Sequence, residues 1–280
     1  MTMRFGFVVP NNLGVTDFNA LIELAQQAEE LGFDSVWVNH HVLNIGYVLE
    51  RIGDRPYQDP LITLAWIGAR TTRIRLGTSV LVMPYLHPMT LAKQAATLDR
   101  FCGGRLTLGL GVGSLPEENA ALGIPYPSRG RYSDEFLQVL RALWTGESVS
   151  FHGEFFNFEN ILASPTPMQK PHLPLIVAGN RPQALRRAAR FGDGWHPMSL
   201  PPESVRKRLP VIREEAEKAG RPAPETVQLR IDIGRITAES VAEFAEAGVT
   251  DLVMSMQTED VAQQRNALER FKADIMEPNA

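Results

Sequence analysis

Residues 75–113 constrain the fold of this 280-residue chain most, because they read as a strand, a crossover helix and a second strand. Arg75–Val82 is rich in β-branched residues and almost continuously apolar, which is typical of a strand buried on both faces of a parallel sheet. In Pro88–Phe101 the apolar residues fall at helical spacing, and two glycines follow. Leu106–Leu110 is then predicted as a second buried strand. This strand–helix–strand unit is the repeat from which parallel α/β folds are built.

The same alternation runs along the rest of the chain, which is predicted to contain eight strands. They are Phe5–Val9, Ser35–Val38, Arg75–Val82, Leu106–Leu110, Leu175–Ala178, Gly194–Pro197, Val227–Ile233 and Asp251–Ser255. With 44% apolar residues the chain can bury a large core, and no flexible linker divides it. Eight strands alternating with helices favour a closed (β/α)8 barrel over an open sheet. We therefore predict an α/β chain with a single domain over residues 1–280.

Two longer segments interrupt this repeat. Residues 42–60 are predicted to form a long irregular loop, and residues 148–171 to contain a small β-hairpin. We expect both segments to cover the carboxyl ends of the strands, where (β/α)8 barrels bind their ligands. Their aromatic residues suggest an apolar wall, although they can equally pack beneath the loops. These aromatics are Tyr47, Tyr57, Phe155 and Phe156.

Charge and cysteine content exclude several classes of protein. The net charge of −4 and the pI near 5.9 argue against a nucleic-acid-binding surface or a basic membrane anchor. The lone Cys102 excludes an internal disulfide framework and a cysteine-rich metal site. The N-terminal residues run directly into a strand without a leader-like apolar stretch. A soluble, cytoplasmic protein without a membrane or nucleic-acid partner is expected.

The residues at the predicted strand ends are small, amide-bearing or histidine, and carboxylates are scarce among them. Adjacent His40 and His41 would point to opposite faces of an extended strand, so they are a poor pair of zinc ligands. No metal site is therefore predicted. A Ser-His-Asp triad is equally unsupported, because the chain has no Gly-X-Ser-X-Gly sequence. A metal-dependent hydrolase is only a remote alternative.

Glycine-rich turns indicate an anionic cofactor instead. The run Gly179-Asn180-Arg181 lies between a strand and a helix that begins near Pro182, where free backbone amides and the helix dipole can hold a phosphate. Gly111 and Gly113 can act similarly. Each turn is weak evidence alone, since glycine at a strand–helix turn often serves only the turn geometry. The Gly-X-Gly-X-X-Gly fingerprint of nicotinamide cofactors does not follow the first strand.

Several runs of the chain resemble the luciferase-like monooxygenase superfamily, and within it the deazaflavin (coenzyme F420)-dependent oxidoreductases. The matching runs are Glu30–Val38, Arg73–Leu81, Leu91–Gln94, Gly103–Leu106, Gly111–Gly113, Trp144–Gly146 and Ala188–Trp195. They extend in order over residues 4–197, whereas the C-terminal third is less distinctive. The resemblance implies a (β/α)8 barrel that holds a flavin-like ring in its mouth.

The resemblance also implies roles for individual residues. In relatives the third strand carries a non-proline cis peptide that backs the ring, which here falls at Ser79-Val80. The second strand of relatives ends in Asp-His; His41 takes the position of the proton-exchanging histidine, and His40 replaces the aspartate. Sugar-phosphate dehydrogenase relatives carry a catalytic glutamate where this chain has Ser114, so that activity is not expected. The cofactor phosphate would lie against the turn at residues 179–181.

These arguments give the predicted site. The catalytic set is His41, Ser114 and Glu117. The cofactor-binding set is Asn11, His40, His41, Ser79, Val80, Gly111, Gly113, Gly179, Asn180 and Arg181.

The predicted function is hydride transfer between coenzyme F420 and a small organic substrate, with His41 as the proton partner. One alternative is an FMN-dependent monooxygenase that requires a partner flavin reductase. A second is a barrel that binds a flavin without catalysis. Because relatives are commonly dimers, a homodimer is expected, formed through exposed helices near the third and fourth strands.

Overall fold

A computed structural model describes residues 2–279 and shows a closed barrel of parallel strands. The barrel strands are β1 (Arg4–Val8), β2 (Ser35–Val38), β3 (Arg75–Thr78), β4 (Leu81–Val82), β5 (Leu106–Gly111), β8 (Leu175–Ala178), β9 (Gly194–His196), β10 (Thr226–Asp232) and β11 (Asp251–Ser255). The first and last strands pair in parallel, with Phe5 opposite Leu252, and this pairing closes the barrel. The predicted (β/α)8 barrel is confirmed.

Most helices pack around the outside of the barrel, and two short ones lie at the carboxyl ends of the strands. The helices are α1 (Phe18–Leu31), α2 (Tyr47–Ile52), α3 (Pro60–Arg70), α4 (Pro88–Phe101), α5 (Pro116–Ala121), α6 (Arg129–Leu143), α7 (Pro182–Phe191), α8 (Pro202–Lys218), α9 (Ala238–Glu246) and α10 (Val261–Phe271). Their apolar faces and the strands form the main core, which includes the fully buried Phe7, Leu76 and Trp195. A smaller second cluster consists of Val8, Trp37 and Val253. No helix within residues 2–279 is long and apolar enough to cross a membrane.

The third barrel strand differs from the single strand predicted over Arg75–Val82. It is split into β3 and β4, and the Ser79–Val80 peptide bond between them is cis, as the resemblance implies. β3 pairs with β2 and β5, whereas β4 pairs only with β5. Glycine at position 109 of β5 allows this arrangement, because a Cβ there would lie 1.9 Å from the Thr78 carbonyl oxygen.

The two insertions both contain regular secondary structure. Residues 42–60 contain the short helix α2, so this segment is not wholly irregular. The hairpin predicted in residues 148–171 is present as β6 (Ser148–His152) and β7 (Asn157–Leu162). It packs against α6, where the Glu135 carboxylate accepts hydrogen bonds from the backbone amides of residues 154–156. The ring of Phe156 lies 5.0 Å from that of Tyr132 on α6.

Candidate active site

A cavity of about 540 Å³ opens at the carboxyl ends of the barrel strands. One side of it is apolar and is formed by Val80, Val82, Ala178 and Met198. The opposite side is polar and comes from the ends of β2 and β10 and from the segment that contains α2. The hairpin contributes no lining residue, so the prediction that residues 148–171 cover the site is wrong. Residues 42–60 do line it, through Tyr47 and Tyr57 among others.

The floor of the cavity is held by Arg230, a largely buried side chain in the middle of β10. Its Nη1 donates to the Asn39 side-chain oxygen at 2.5 Å and to the Ser79 carbonyl oxygen at 2.8 Å. These bonds cross the barrel interior, since β10 is adjacent to neither β2 nor β3. Burial lowers the pKa of Arg230 to about 10, so the guanidinium remains charged at neutral pH.

A set of buried amides fixes the loop that follows β2. The Asn11 side chain donates to the Asn39 carbonyl oxygen at 2.9 Å and accepts from the Asn39 backbone amide at 2.8 Å. It also donates to the Gln58 carbonyl oxygen at 2.9 Å. Asn11 is fully buried and lies outside the lining of the cavity, whereas Asn12 lines it. Asn11, predicted to bind the cofactor, therefore positions the backbone beneath the site.

A chain of three ionisable groups lies along the polar wall. The Glu118 carboxylate, fully buried on α5, lies 2.5 Å from His41 Nδ1, and His41 Nε2 lies 2.6 Å from the Tyr47 hydroxyl. A carboxylate only accepts hydrogen bonds, so Nδ1 carries a proton. When His41 is neutral, its Nε2 therefore accepts from the Tyr47 hydroxyl. Tyr47 faces the cavity, as does Ser114.

Backbone amides keep Glu118, the buried end of this series of hydrogen-bonded groups, negatively charged. Burial raises the pKa of Glu118, but the hydrogen bonds from His41 and from the amides of Val42 and Leu43 outweigh burial and bring the pKa below its usual value. Burial raises the pKa of Tyr47, so its hydroxyl stays protonated at neutral pH. The arrangement can deliver a proton to the cavity or remove one from it.

His40 lies beside this chain but makes different contacts. Its Nδ1 accepts a hydrogen bond from the Val82 backbone amide at 3.0 Å, which places the proton of the neutral ring on Nε2. Burial lowers the pKa of His40 to about 4. Both histidines line the cavity because β2 ends at Val38, and strand alternation no longer applies beyond it. The argument that adjacent histidines point to opposite faces of a strand therefore does not apply to them, because they follow β2.

A third histidine, His196 at the end of β9, lies under the split strand. Its Nε2 lies 3.0 Å from the Ser79 hydroxyl, and its ring stacks on Trp37 with centroids 6.4 Å apart. Burial lowers the pKa of His196 to about 3, so the ring is neutral. Within residues 2–279, no three His, Cys, Asp or Glu side chains are grouped to hold a metal ion.

The glycine turns lie where the strands reach the cavity. Gly111, Gly113 and Gly179 all line it. Gly113 and Gly179 have φ values of +74° and +126°, which favour glycine. Asn180 and Arg181 lie outside the lining: the Asn180 amide bonds the backbone of Met198, and Arg181 is exposed at the N-cap of α7.

The remaining predicted residues divide into two groups. Ser79, Val80 and Ser114 line the cavity together with the two adjacent histidines. Glu117 is exposed and does not line it, because on α5 the neighbouring Glu118 faces His41.

Sequence reasoning assigned no role to Arg230, Arg51 or Glu118. The available signal for Arg230 was a charge in the middle of an apolar strand. The signal for Glu118 was the helical phase of residues 115–119.

Comparison with known proteins places the chain in a family. The model of the luciferase-like monooxygenase family matches residues 3–278. The F420-dependent glucose-6-phosphate dehydrogenase of Kineococcus radiotolerans is 33% identical over 234 residues, covering 79% of this chain and 66% of that protein. The monooxygenase RslO1 of Streptomyces bottropensis superimposes with a TM-score of 0.84 at 23% identity, covering 99% and 100% of the two chains.

A second solved structure is an F420-dependent secondary alcohol dehydrogenase in complex with an F420-acetone adduct. It has a TM-score of 0.83 at 20% identity, and each chain is covered to 99%. At these identities the two structural likenesses show the fold, and the family match shows the relationship. The chain belongs to the luciferase-like monooxygenase family.

Proposed function

We propose that this chain is a coenzyme F420-dependent oxidoreductase that transfers a hydride between the cofactor and a small organic substrate. The observation that carries the proposal is the Glu118–His41–Tyr47 chain, which ends at the cavity. Hydride transfer to a carbonyl, or from an alcohol, requires a proton to move with the hydride, and such a chain can hold that proton. The F420-dependent dehydrogenase relative supports the choice of cofactor.

The cavity fits a flat ring with an anionic tail. Its apolar side, with Val80 and Ala178, suits one face of an aromatic ring, and the polar groups lie on the other side. The N-terminus of α7 follows Gly179, and the positive end of its helix dipole can attract the phosphate of the tail, although the amides of Ala184 and Leu185 already donate to the Arg181 carbonyl oxygen. Bound there, coenzyme F420 supplies or accepts a hydride.

The protein groups have separate tasks in this reaction. Tyr47 gives a proton to the substrate oxygen during reduction and receives one during oxidation. His41 exchanges that proton with Tyr47, and the Glu118 carboxylate stabilises the imidazolium that forms when His41 holds it. Residues 42–60 reduce the access of water to these groups.

Titration of the purified protein with coenzyme F420 and, separately, with FMN tests the proposal, with ligand fluorescence as the readout. We expect micromolar or tighter binding of F420 and much weaker binding of FMN. Ala178→Phe, which fills the apolar side of the cavity, should weaken F420 binding about 10-fold or more. The control Ala262→Phe changes an exposed residue of α10 and should bind F420 as the wild type does.

Turnover is tested with a panel of small alcohols and carbonyl compounds, through the absorbance of the cofactor. For any substrate that reacts, Tyr47→Phe should lower kcat about 100-fold and leave F420 affinity unchanged. A preference for FMN would instead favour the family's monooxygenase chemistry and require a partner reductase. Binding of neither ligand would refute the proposal.

We also propose that the chain forms a homodimer through α3. This helix exposes Ile62 and Trp66, with 73% and 42% of their surfaces accessible, and Phe101 at the end of neighbouring α4 is 82% exposed. Large apolar side chains grouped on a surface are typical of interfaces.

A further inference from the structure

Two cationic side chains line the cavity without a carboxylate partner. Arg230 projects from β10 and Arg51 from α2. Among the ion pairs within residues 2–279, none joins a carboxylate to either guanidinium within 4.0 Å. Arg55, one turn after Arg51, pairs with Glu259, and Asp232 also lines the cavity but forms no ion pair within 4.0 Å with Arg51 or Arg230. A cavity wall with unpaired positive side chains favours the binding of an anion.

The two arginines are near enough to repel each other. The charge of Arg51 contributes to the low pKa of Arg230, after the larger effect of burial. Arg51 donates to the Asn12 carbonyl oxygen at 3.2 Å, and within the described residues the side-chain bonds of Arg230 all come from Nη1. Uncharged acceptors thus hold both groups in place and leave the charges uncompensated. An anion between them would relieve this repulsion.

The position of the arginines favours the substrate over the cofactor tail as the source of that anion. Arg51 and Tyr47 are one turn apart on α2, so one of the two cationic groups and the end of the proton chain belong to the same helix. The turn at Gly179, where the phosphate tail is placed, follows β8, which is separated from β10 by β9. A molecule that receives a proton from Tyr47 would bring its own acidic group to Arg51.

We propose that the substrate carries a carboxylate that binds between Arg51 and Arg230. This inference rests on the proposed function and narrows it to oxo and hydroxy carboxylic acids. Tyr57 lies on the same wall and contacts the His41 ring, so it supplies an apolar surface for the body of the substrate. Planar guanidinium groups are well suited to carboxylates because they can donate two parallel hydrogen bonds.

Benzoate and benzamide test the inference, because they have the same shape and differ in charge. Binding of each to the full-length protein is measured by calorimetry, with and without F420. We expect benzoate to bind about 10-fold more tightly than benzamide. Arg51→Gln should remove most of this preference, and Arg51→Lys should retain part of it. The control Arg70→Gln removes an equal charge from the end of α3 and should leave the preference intact.

Two results would overturn the inference. One is equal binding of benzoate and benzamide to the wild type. The other is an Arg51→Gln variant that binds benzoate normally but binds F420 more weakly, because the anion would then belong to the cofactor. F420 affinity is measured separately, so a wild type that binds F420 normally but shows no preference for benzoate refutes only the substrate class. If F420 does not bind, the proposed function is refuted. The preference for benzoate over benzamide then tests only whether the two arginines bind a carboxylate.

Discussion

Replacing His40 with asparagine should change how the stability of this protein depends on pH. The pKa of His40 is about 4 in the folded protein, against an ordinary 6.5. Between these values the unfolded chain binds a proton that the folded chain does not, so the free energy of unfolding falls as the pH falls. The stabilisation from His40 is fully present above pH 6.5 and is lost progressively toward pH 4.

The magnitude follows from the difference between the two pKa values. At about 1.4 kcal/mol per pKa unit, that difference corresponds to about 3 kcal/mol. His196, whose pKa is about 3, acts in the same direction, so these two histidines together bind about two more protons in the unfolded state than in the folded state at pH 5. The amide oxygen of asparagine can accept the Val82 hydrogen bond in place of Nδ1, but it does not titrate. His40→Asn should therefore remove about half of the combined histidine contribution to the pH dependence.

Urea unfolding followed by tryptophan fluorescence measures this effect, at several pH values from about 7.5 to about 4.5. Above pH 7 the free energies of unfolding of variant and wild type should change with pH in parallel, which serves as the internal control. Below pH 6 the wild type should lose stability more steeply, by about 1.4 kcal/mol per pH unit. Equal slopes for the two proteins below pH 6 would refute the assignment of His40 as a buried neutral base.

The other predictions concern the proton chain, the barrel and the dimer. Glu118→Gln should lower the free energy of unfolding at pH 7 by about 2 kcal/mol, because it removes a charge-assisted hydrogen bond, while exposed Glu117→Gln should have little effect. Since the pKa of Glu118 lies below its usual value, that loss should shrink in denaturation curves recorded below about pH 4. Gly109→Ala should destabilise the barrel by about 3 kcal/mol or prevent folding, measured by circular dichroism, since its methyl group would meet the Thr78 carbonyl. Trp66→Glu should convert the proposed dimer to a monomer in light-scattering measurements.

The sequence predicts the barrel well because its signal is repeated. Each buried strand is an apolar run, and each is followed by a helix whose apolar residues recur every 3.6 residues. A misplaced boundary in one strand–helix unit therefore does not change the predicted topology. The split of the third strand was implied only by the resemblance. It depends on the packing of β3 against Gly109 of the next strand, a contact between residues about 30 positions apart. Local patterns carry no information on such a contact.

The active site is predicted less completely because it depends on the directions in which individual side chains point. Glu117 and Glu118 are equivalent in the sequence, yet a rotation of about 100° along α5 exposes the first and buries the second against His41. Arg230 stands in a strand whose inward face can be assigned only once the barrel closes. The hairpin was expected above the site, but Glu135 of α6 binds its turn and holds it to the side.

The groups that fix the floor of the cavity and the groups proposed to contact the substrate come from different parts of the fold. Hydrogen bonds across the barrel, from Arg230 to Asn39 and Ser79, fix the floor to strands and leave little freedom for change. Tyr47 and Arg51 come instead from α2, a short helix between glycines with φ values of +53° and +62°. Substitutions in α2 can therefore alter the substrate without disturbing the floor. This division predicts that changes of substrate among relatives of this chain concentrate in the segment after β2 rather than in the barrel strands.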